Sequence, residues 1–175
     1  PLRTRLQSLL DRIMGATPPS NAFNEVRLPV EAQERFVRFV AESIGFDFQR
    51  GRIDVSTHPF CSGFSPRDVR LTTRFHEDNV NDALGSTMHE CGHGIYEQGL
   101  RIDQPGLPMG NSVSLGIHES QSRLWENQVG RSRQFWAWCQ PKLTDFFGDA
   151  VKGLDLETVY AGANIVRPDF IRVEA

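Results

Sequence analysis

The segment His89-Glu90-Cys91-Gly92-His93 places two histidines four residues apart and a glutamate directly after the first. On an α-helix, residues four apart lie on one face, so both imidazoles can reach one metal ion. Imidazole nitrogens bind Zn²⁺ at about 2.0–2.1 Å. Glu90 would lie about 100° around the helix, where a carboxylate can act as general base on a water molecule. The pattern predicts a zinc-hydrolase site, and a surface histidine pair is the alternative.

A longer helical pattern surrounds these histidines, from about residue 77 to about residue 100. When His89 is set at zero and each residue advances by about 100°, mainly apolar residues collect on the opposite side of the helix. They are Val80, Leu84, Thr87, Cys91 and Ile95. We therefore expect Cys91 to be a buried core residue rather than a thiolate ligand, since free cysteines are commonly buried.

Three glycines follow one another at intervals of seven residues on a strip beside the histidines, at Gly85, Gly92 and Gly99. Each glycine costs a helix about 1 kcal/mol relative to alanine. Because a strip without side chains lets another backbone approach closely, we expect a second helix or a substrate to pack there.

A catalytic zinc needs a third protein ligand and an open position for water. Some zinc peptidases supply a third histidine ten residues after the first, but here that position is Gly99. Glu119, in His118-Glu119-Ser120, is the better candidate, because a carboxylate from a second packed helix would complete a site of two histidines and one glutamate. An exposed helical carboxylate is the alternative interpretation of Glu119.

Other charged residues are weaker candidates for roles at the metal. Asp82 and Glu97 could be ligands. Alternatively, Asp82 could hydrogen-bond the ring nitrogen of a ligand histidine that does not bind the metal. Glu119, Arg123 and Glu126 share one helical stripe, so Arg123 is either a paired structural charge or a supporting partner of the site.

The rest of the sequence predicts a mainly α-helical protein with a small antiparallel β-sheet before the histidine helix. Alternating residues in 46–60 favour a hairpin, residues 61–67 are typical of a loop, and residues 69–74 favour a strand. Pro141 suits the start of a new helix. Helical periodicity covers residues 2–13, 30–44, 115–140, 154–163 and 165–175.

Composition limits the classes of function. Hydrophobic residues make up 39% and charged residues 23%, which is typical of a soluble globular domain, and a net charge of −3 gives no electrostatic footprint for nucleic acid. No apolar run approaches the roughly 18 residues of a membrane helix. Three scattered cysteines indicate a reducing, cytoplasmic location. Both ends lack helix start and stop signals, so we expect residues 1–175 to be one catalytic-core segment of a longer chain.

Five motifs occur in order along the chain, and together they are far more specific than the two histidines alone. They are His58-Pro59-Phe60, Asp68-Val69-Arg70-Leu71-Thr72, His89-Glu90-Cys91-Gly92-His93, His118-Glu119-Ser120-Gln121 and Ile171-Arg172-Val173-Glu174-Ala175. This set, over roughly residues 46–175, resembles the carboxypeptidase Taq family of zinc metallocarboxypeptidases. A further family motif, Gly-x-x-Gln-Asp-x-His-Trp, lies downstream of the last of these, which agrees with a segment that lacks flanking regions of the family at both ends.

The resemblance implies a mostly helical HExxH zincin-like fold with a small sheet beside a deep groove. It implies a cytoplasmic, commonly homodimeric enzyme that removes single residues from peptides with a free C-terminus. Zn²⁺ is the implied metal and Co²⁺ the alternative. The implied metal ligands are His89, His93 and Glu119, with Glu90 as catalytic base and proton shuttle. The implied groove residues are His58, Arg70 and Arg172.

An exopeptidase must bind the free α-carboxylate of its substrate, and a planar guanidinium does so through two charge-assisted hydrogen bonds. Arg172 and Arg70 are the candidates, and ordinary surface charges are the alternative for both. His58 could donate to the oxyanion or to the substrate backbone, or it could be a turn histidine before Pro59.

Three hypotheses for the function follow. The leading one is a zinc metallocarboxypeptidase that uses water activated by the metal. The second is a zinc endopeptidase or dipeptidyl peptidase with the same site. The third is an inactive structural fragment of such an enzyme.

Overall fold

One long helix of this protein packs against other helices and also against a small β-sheet. The computed structural model describes residues 2–166. The α-helices of this part of the chain are α1 (Leu2–Met14), α2 (Val30–Ser43), α3 (Val80–Gln98), α4 (Leu115–Arg123), α5 (Arg133–Phe147) and α6 (Leu156–Ala163). Short 3-10 turns cover Ala22–Glu25, Pro108–Gly110 and Gly148–Val151, and a π-helical segment covers Leu124–Val129. The mainly α-helical class is confirmed.

The larger hydrophobic core lies between α2, α3, α5 and α6. Phe36 in α2 is fully buried, and its ring lies edge-on to Phe146 and Phe147 at centroid distances of 5.4 and 5.3 Å. Phe23 meets Trp136 edge-on at 5.6 Å. Because buried aromatic rings contribute large apolar areas and packed pairs add to that, this core holds one side of α3 in place.

A smaller core fills the space between α3 and the sheet. Its buried members are Ala41, Phe46, Val69, Leu71 and Cys91. Val69 and Leu71 alternate with the exposed Arg70 along one strand, as expected for a sheet with one buried face. The helix that carries the two motif histidines is therefore fixed on two sides.

The β-sheet is mixed, which corrects the prediction of an antiparallel sheet. Its strands are β1 (Gly51–Val55), β2 (Cys61–Ser65) and β3 (Asp68–Thr73), in the order β1-β3-β2. β2 and β3 pair antiparallel because a two-residue connection joins them, whereas β3 lies beside β1 in parallel register. The longer segment between β1 and β2 carries the chain past the position that β3 occupies.

The predicted hairpin over 46–60 and the predicted loop over 61–67 are wrong. The alternation before β1 comes from a turn, in which Arg50 N donates to Asp47 O at 3.1 Å and the buried ring of Phe46 lies 5.0 Å from that of Phe48. β2 forms at the sheet edge despite its Gly and Ser content. A Cβ atom on Gly63 would lie 2.6 Å from Asp68 O, so glycine allows this close, bulged pairing.

The single helix predicted over 115–140 is divided into two. α4 continues into the π-helical segment, which ends at Gly130, and a turn precedes α5. A Cβ atom on Gly130 would lie 2.9 Å from Met88 Sδ, so this turn packs tightly on α3. The Ser132 hydroxyl then accepts from Phe135 N at 3.1 Å and begins α5. Pro141 lies inside α5 rather than at a helix start, since buried Cys139 and Leu143 hold the helix around it.

The other predicted helices match the structure closely in position. Residues 2–13, 30–44 and 154–163 correspond to α1, α2 and α6, and the histidine helix corresponds to α3. Most of the predicted helix over 165–175 lies outside the described residues. Among the helices of residues 2–166, none is long and apolar enough to span a membrane.

Candidate metal centre

Helix α3 presents its two motif histidines on one face. The Asn79 side chain caps the helix by accepting from Asp82 N at 3.1 Å. Opposite the histidines, Leu84, Thr87 and Cys91 are buried, which confirms the predicted core stripe and the core position of Cys91. The imidazoles of His89 and His93 lie side by side, with ring centroids 5.0 Å apart.

Helix α4 lies directly against α3 at Gly92. A Cβ atom on this residue would lie 2.5 Å from Ser122 Cα and 2.6 Å from Gln121 O, distances that a side chain does not tolerate. The glycine therefore lets the two backbones touch and brings Glu119, one turn earlier in α4, towards the histidines. Among the three glycines, the predicted close approach of a second helix is found at Gly92, whereas Gly85 and Gly99 meet no second helix. Gly85 lines the cleft, so approach of a substrate there stays a prediction.

Glu119 lies beside both imidazoles. Its Oε2 atom is 3.6 Å from His89 Nε2 and 3.4 Å from His93 Nε2, and one ligand atom from each residue lies within 4.8 Å of the other two. Donors bound at about 2.0–2.2 Å to a tetrahedral metal lie roughly 3.3–3.6 Å apart. Two imidazole nitrogens and one carboxylate oxygen thus fit a divalent cation such as Zn²⁺.

A second carboxylate orients His89. The Nδ1 atom of His89 lies 2.8 Å from Glu126 Oε2, so in the neutral imidazole Nδ1 carries the proton and Nε2 keeps its lone pair. Burial lowers the pKa of His89, but Glu126 and the neighbouring carboxylates outweigh this and leave the pKa raised. The pKa of Glu126 is lowered overall, because its bond with His89 and the charges of Arg123 and Arg131 outweigh burial.

The surroundings of His93 favour its neutral form. Burial is the main cause, and the nearby imidazoles of His89 and His118 add to it, so the pKa of His93 falls to about 4. A neutral imidazole is the form that binds a metal. The ring of His93 contacts the ring of His118, a residue whose role the sequence did not indicate.

Both oxygens of the Glu119 carboxylate accept hydrogen bonds that hold it in place. Arg123 Nε donates to Glu119 Oε1 at 2.8 Å, and Arg123 Nη1 donates to Glu126 Oε2 at 3.1 Å. The Ser122 hydroxyl donates to Glu119 Oε2 at 3.1 Å. Burial raises the pKa of Glu119, but His89, Ser122 and Arg123 outweigh it and keep the carboxyl ionised. Arg123 thus supports both carboxylates of the centre.

Glu90 is only 7% exposed and lies beside the three candidate ligands. Burial raises its pKa from 4.5 to about 7, although the charges of His89 and His58 oppose the shift. A carboxyl with a pKa near neutrality can both accept and release a proton at physiological pH. This position is suited to general acid–base chemistry rather than to metal binding.

An open cleft of about 830 Å³ exposes this centre. Its lining includes His89, Glu90, Glu119, Arg123, Glu126 and Arg131, together with an amide-rich and acidic wall that contains Asn24, Asn79, Asn81 and Asp82. His58 also lines the cleft, and its Nδ1 lies 2.8 Å from Pro59 O. The cleft is large enough for several residues of a peptide.

Of the two arginines in the sequence prediction, Arg70 stands apart from this cleft. Arg70 lies on the exposed face of β3 and makes a bidentate ion pair with Asp68, with N–O distances of 2.9 and 3.0 Å. It is absent from the cleft lining. Arg172 lies outside the described residues. The structure brings His58 to the centre, whereas the roles of Arg70 and Arg172 stay predictions.

The sequence analysis did not assign supporting roles to Glu126 and His118, and the contact that it suggested for Asp82 is wrong. Asp82 does not hydrogen-bond a ligand histidine; its carboxylate pairs with Arg74 at 2.7 and 3.1 Å. Glu126 takes the place proposed for Asp82, and its position seven residues after Glu119 was the available signal. Glu97 faces His118 rather than the ligand atoms.

Comparisons with known proteins identify the family to which this chain is similar. The family model described as Carboxypeptidase Taq (M32) metallopeptidase matches residues 1–175. Thermostable carboxypeptidase 1 of Thermus thermophilus is 45% identical over 175 residues, which are 99% of this chain and 34% of that protein. Carboxypeptidase 1 of Bacillus subtilis is 37% identical over 157 residues, or 90% of this chain and 31% of that protein.

Solved structures show the same fold. The crystal structure of the M32 carboxypeptidase from Deinococcus radiodurans superposes with a TM-score of 0.85 at 44% identity, covering 92% of this chain and 32% of that one. Pyrococcus furiosus carboxypeptidase gives a TM-score of 0.87 at 40% identity, covering 99% of this chain and 35% of that one. The chain therefore spans about a third of the length of the relatives that it matches.

Proposed function

Because this chain belongs to the carboxypeptidase Taq (M32) family of metallopeptidases, we propose that it carries the metal-binding catalytic core of a carboxypeptidase that removes single residues from peptide C-termini. The observation that carries the proposal is the convergence of ligand atoms from His89, His93 and Glu119, next to a cleft that His89, Glu119 and the buried Glu90 line. We propose Zn²⁺ as the metal, with Co²⁺ as the alternative, since two imidazoles and one carboxylate are a common ligand set of catalytic zinc.

Glu90 is the proposed acid–base residue. When bound, the metal supplies Lewis-acid polarisation of a water molecule and of the scissile carbonyl. The Glu90 carboxylate accepts a proton as the water oxygen attacks the carbonyl carbon, and it donates that proton to the leaving amide nitrogen as the C–N bond breaks. Its buried position beside His89 and Glu119 places it where both transfers would occur.

The remaining residues of the centre position these groups. Glu126 and Arg123 form a charged pair that holds His89 and Glu119 in fixed orientations. Held in this way, His89, His93 and Glu119 would bind the metal at the cleft that a peptide would enter. His58 lines the same cleft, and we propose that it donates to the substrate carbonyl or backbone.

The proposed substrates are peptides with a free C-terminus, and the proposed partners include no nucleic acid and no membrane. Arg172 remains the proposed carboxylate-binding residue, since a guanidinium matches a carboxylate through two hydrogen bonds. Arg70 is the weaker proposal, because its guanidinium is paired with Asp68 and it is absent from the cleft lining. Membership of the family supports the further proposals of a cytoplasmic location and of a homodimeric enzyme in its full length.

Hydrolysis of one peptide in two forms, with a free and with an amidated C-terminus, tests this function. We expect stepwise loss of single residues from the free form, no cleavage of the amidated form, loss of activity with a chelator and recovery with Zn²⁺. Glu90→Gln should retain zinc, measured by elemental analysis, and lose at least about 100-fold in kcat.

Each contrary result of that experiment has a specific meaning. Internal cleavage of the amidated peptide would indicate an endopeptidase, and release of dipeptides would indicate a dipeptidyl peptidase. Bound zinc without hydrolysis of either form would indicate a structural segment. Undiminished turnover by the Glu90→Gln variant would contradict the role of Glu90.

A further inference from the structure

The two candidate imidazole ligands are held by unlike partners. His89 Nδ1 lies 2.8 Å from a carboxylate oxygen of Glu126, whereas His93 Nδ1 lies 2.6 Å from another imidazole nitrogen, His118 Nδ1. The opposite nitrogen of that ring, His118 Nε2, lies 2.6 Å from Glu97 Oε1. A chain of hydrogen bonds thus runs from Glu97 through His118 to His93.

The chemistry of these groups decides where each proton lies. The Glu97 carboxylate has no proton to give, so His118 Nε2 must be the donor in their bond. In its neutral form His118 then has a lone pair on Nδ1, which accepts from the N–H at His93 Nδ1. This leaves the lone pair of His93 on Nε2, the nitrogen that lies 3.4 Å from Glu119 Oε2.

Neighbouring aromatic groups hold the two hydrogen-bonded imidazoles in place. The imidazoles of His93 and His118 have centroids 4.7 Å apart, and the ring of Tyr96 lies edge-on to His118 at 5.0 Å. The Tyr96 hydroxyl is itself anchored, since it accepts from Val113 N at 3.2 Å. Both imidazoles are largely shielded from solvent, which strengthens the hydrogen bonds between them.

We propose that His118 and Glu97 are a positioning pair that fixes His93 in the tautomer and orientation whose Nε2 lone pair faces the metal. The proposal rests on the metal centre proposed above and deepens it. It assigns a role to the residue before Glu119, so the segment His118-Glu119 supplies both a ligand and the support of another ligand. Losing such a supporting contact typically weakens metal affinity by about 10–100-fold.

Nitrogen-15 NMR of the histidine rings tests the tautomers directly in the metal-free protein. We expect the ring nitrogens of His93 to show a protonated Nδ1 and an unprotonated Nε2, and those of His118 to show the reverse. A protonated His93 Nε2, or a protonated His118 Nδ1 in the neutral ring, would overturn the proposal. This measurement does not depend on hydrolysis and therefore separates this proposal from the proposed function.

Zn²⁺ affinity, measured by competition with a chelator, tests the positioning role. His118→Phe keeps an aromatic ring at this position but removes both hydrogen bonds, so we expect Zn²⁺ affinity to fall by about 10–100-fold. His118→Asn restores an acceptor near His93 Nδ1 and should recover part of the loss. Glu97→Gln, a more exposed and less disruptive change, should cause a smaller loss, because an amide oxygen still accepts.

A histidine away from the centre provides the matched control. His76 lies 4.0 Å from Asp82 and outside the cleft lining, so His76→Asn should leave Zn²⁺ affinity unchanged. Circular dichroism of each metal-free variant identifies any that does not fold. Unchanged affinity in folded His118→Phe, or a loss in His118→Asn as large as in His118→Phe, would overturn the positioning role.

Discussion

Ser122 Cα lies 2.5 Å from the position that a Cβ atom on Gly92 would occupy. The obstructing atoms belong to the backbone of α4, so they cannot move without moving the helix. The first prediction is that Gly92→Ala displaces α4 from α3 and draws the Glu119 carboxylate away from the two imidazoles. We expect Zn²⁺ affinity to fall by about tenfold or more, measured by competition with a chelator.

A second glycine of the same helix provides the control for that prediction. A Cβ atom on Gly85 would meet nothing within 4 Å, so Gly85→Ala should leave Zn²⁺ affinity unchanged. It should stabilise the protein by up to about 1 kcal/mol through helix propensity. Equal Zn²⁺ affinity in the Gly92→Ala and native proteins would show that α4 need not touch α3 to build the centre.

The second prediction concerns Glu126, the partner of His89. Glu126→Ala removes the acceptor that lies 2.8 Å from His89 Nδ1 and leaves Arg123 with one carboxylate instead of two. We expect Zn²⁺ affinity to fall by about 10–100-fold. Glu126→Gln retains an acceptor oxygen and should lose less. An equal loss in both variants would indicate that charge, rather than orientation of the imidazole, is what Glu126 contributes.

The third prediction is a dependence of stability on pH in the metal-free protein. Burial raises the pKa of Glu90 from 4.5 to about 7. Between these values the folded state keeps a proton that the unfolded state releases, so stability falls as the pH rises through this window. Glu90→Gln puts an uncharged amide in place of a carboxylate that is buried and ionised at pH 8. It should therefore stabilise the metal-free protein by about 1–3 kcal/mol at that pH.

Thermal unfolding in the presence of a chelator measures this effect. The gain from Glu90→Gln should be much smaller at pH 5, because the native carboxyl is then protonated in the folded state. A gain of equal size at pH 5 and pH 8 would show that the benefit comes from packing and not from the proton.

The fourth prediction tests the core that holds α3. Phe36 is fully buried between Phe146 and Phe147, so Phe36→Ala should lower the free energy of unfolding by about 3–5 kcal/mol. Phe64 is 88% exposed, and Phe64→Ala should change it by less than about 0.5 kcal/mol. Denaturant titration measures both. A comparable cost for the two variants would contradict the assignment of the core.

Helical periodicity was sufficient to predict the face of α3. The spacing of His89 and His93, and the burial of Cys91 opposite them, follow from 3.6 residues per turn and need no tertiary information. Glu119 was a weaker prediction from the residues alone, because its approach depends on how a second helix packs. Gly92 was the local signal for that approach.

Other features depended on contacts that a single sequence does not encode. The edge strand β2 is poor in strand-forming residues and exists because β3 offers it a hydrogen-bonding partner. Glu126 and His118 contact histidines of α3 from the helical segments that pack beside it. The sequence offered a spacing signal for Glu126, but the two contacts themselves depend on the tertiary arrangement. Asp82 was closer in sequence to His89, but Arg74 competes for its carboxylate.

Anomalous X-ray scattering from crystals grown with Zn²⁺ tests the central claim most directly. With data collected on both sides of the zinc absorption edge, we predict a peak about 2.0–2.2 Å from His89 Nε2, His93 Nε2 and Glu119 Oε2. No peak at this position in crystals shown by elemental analysis to contain zinc, or a peak that Glu119 does not contact, would contradict the proposed metal centre.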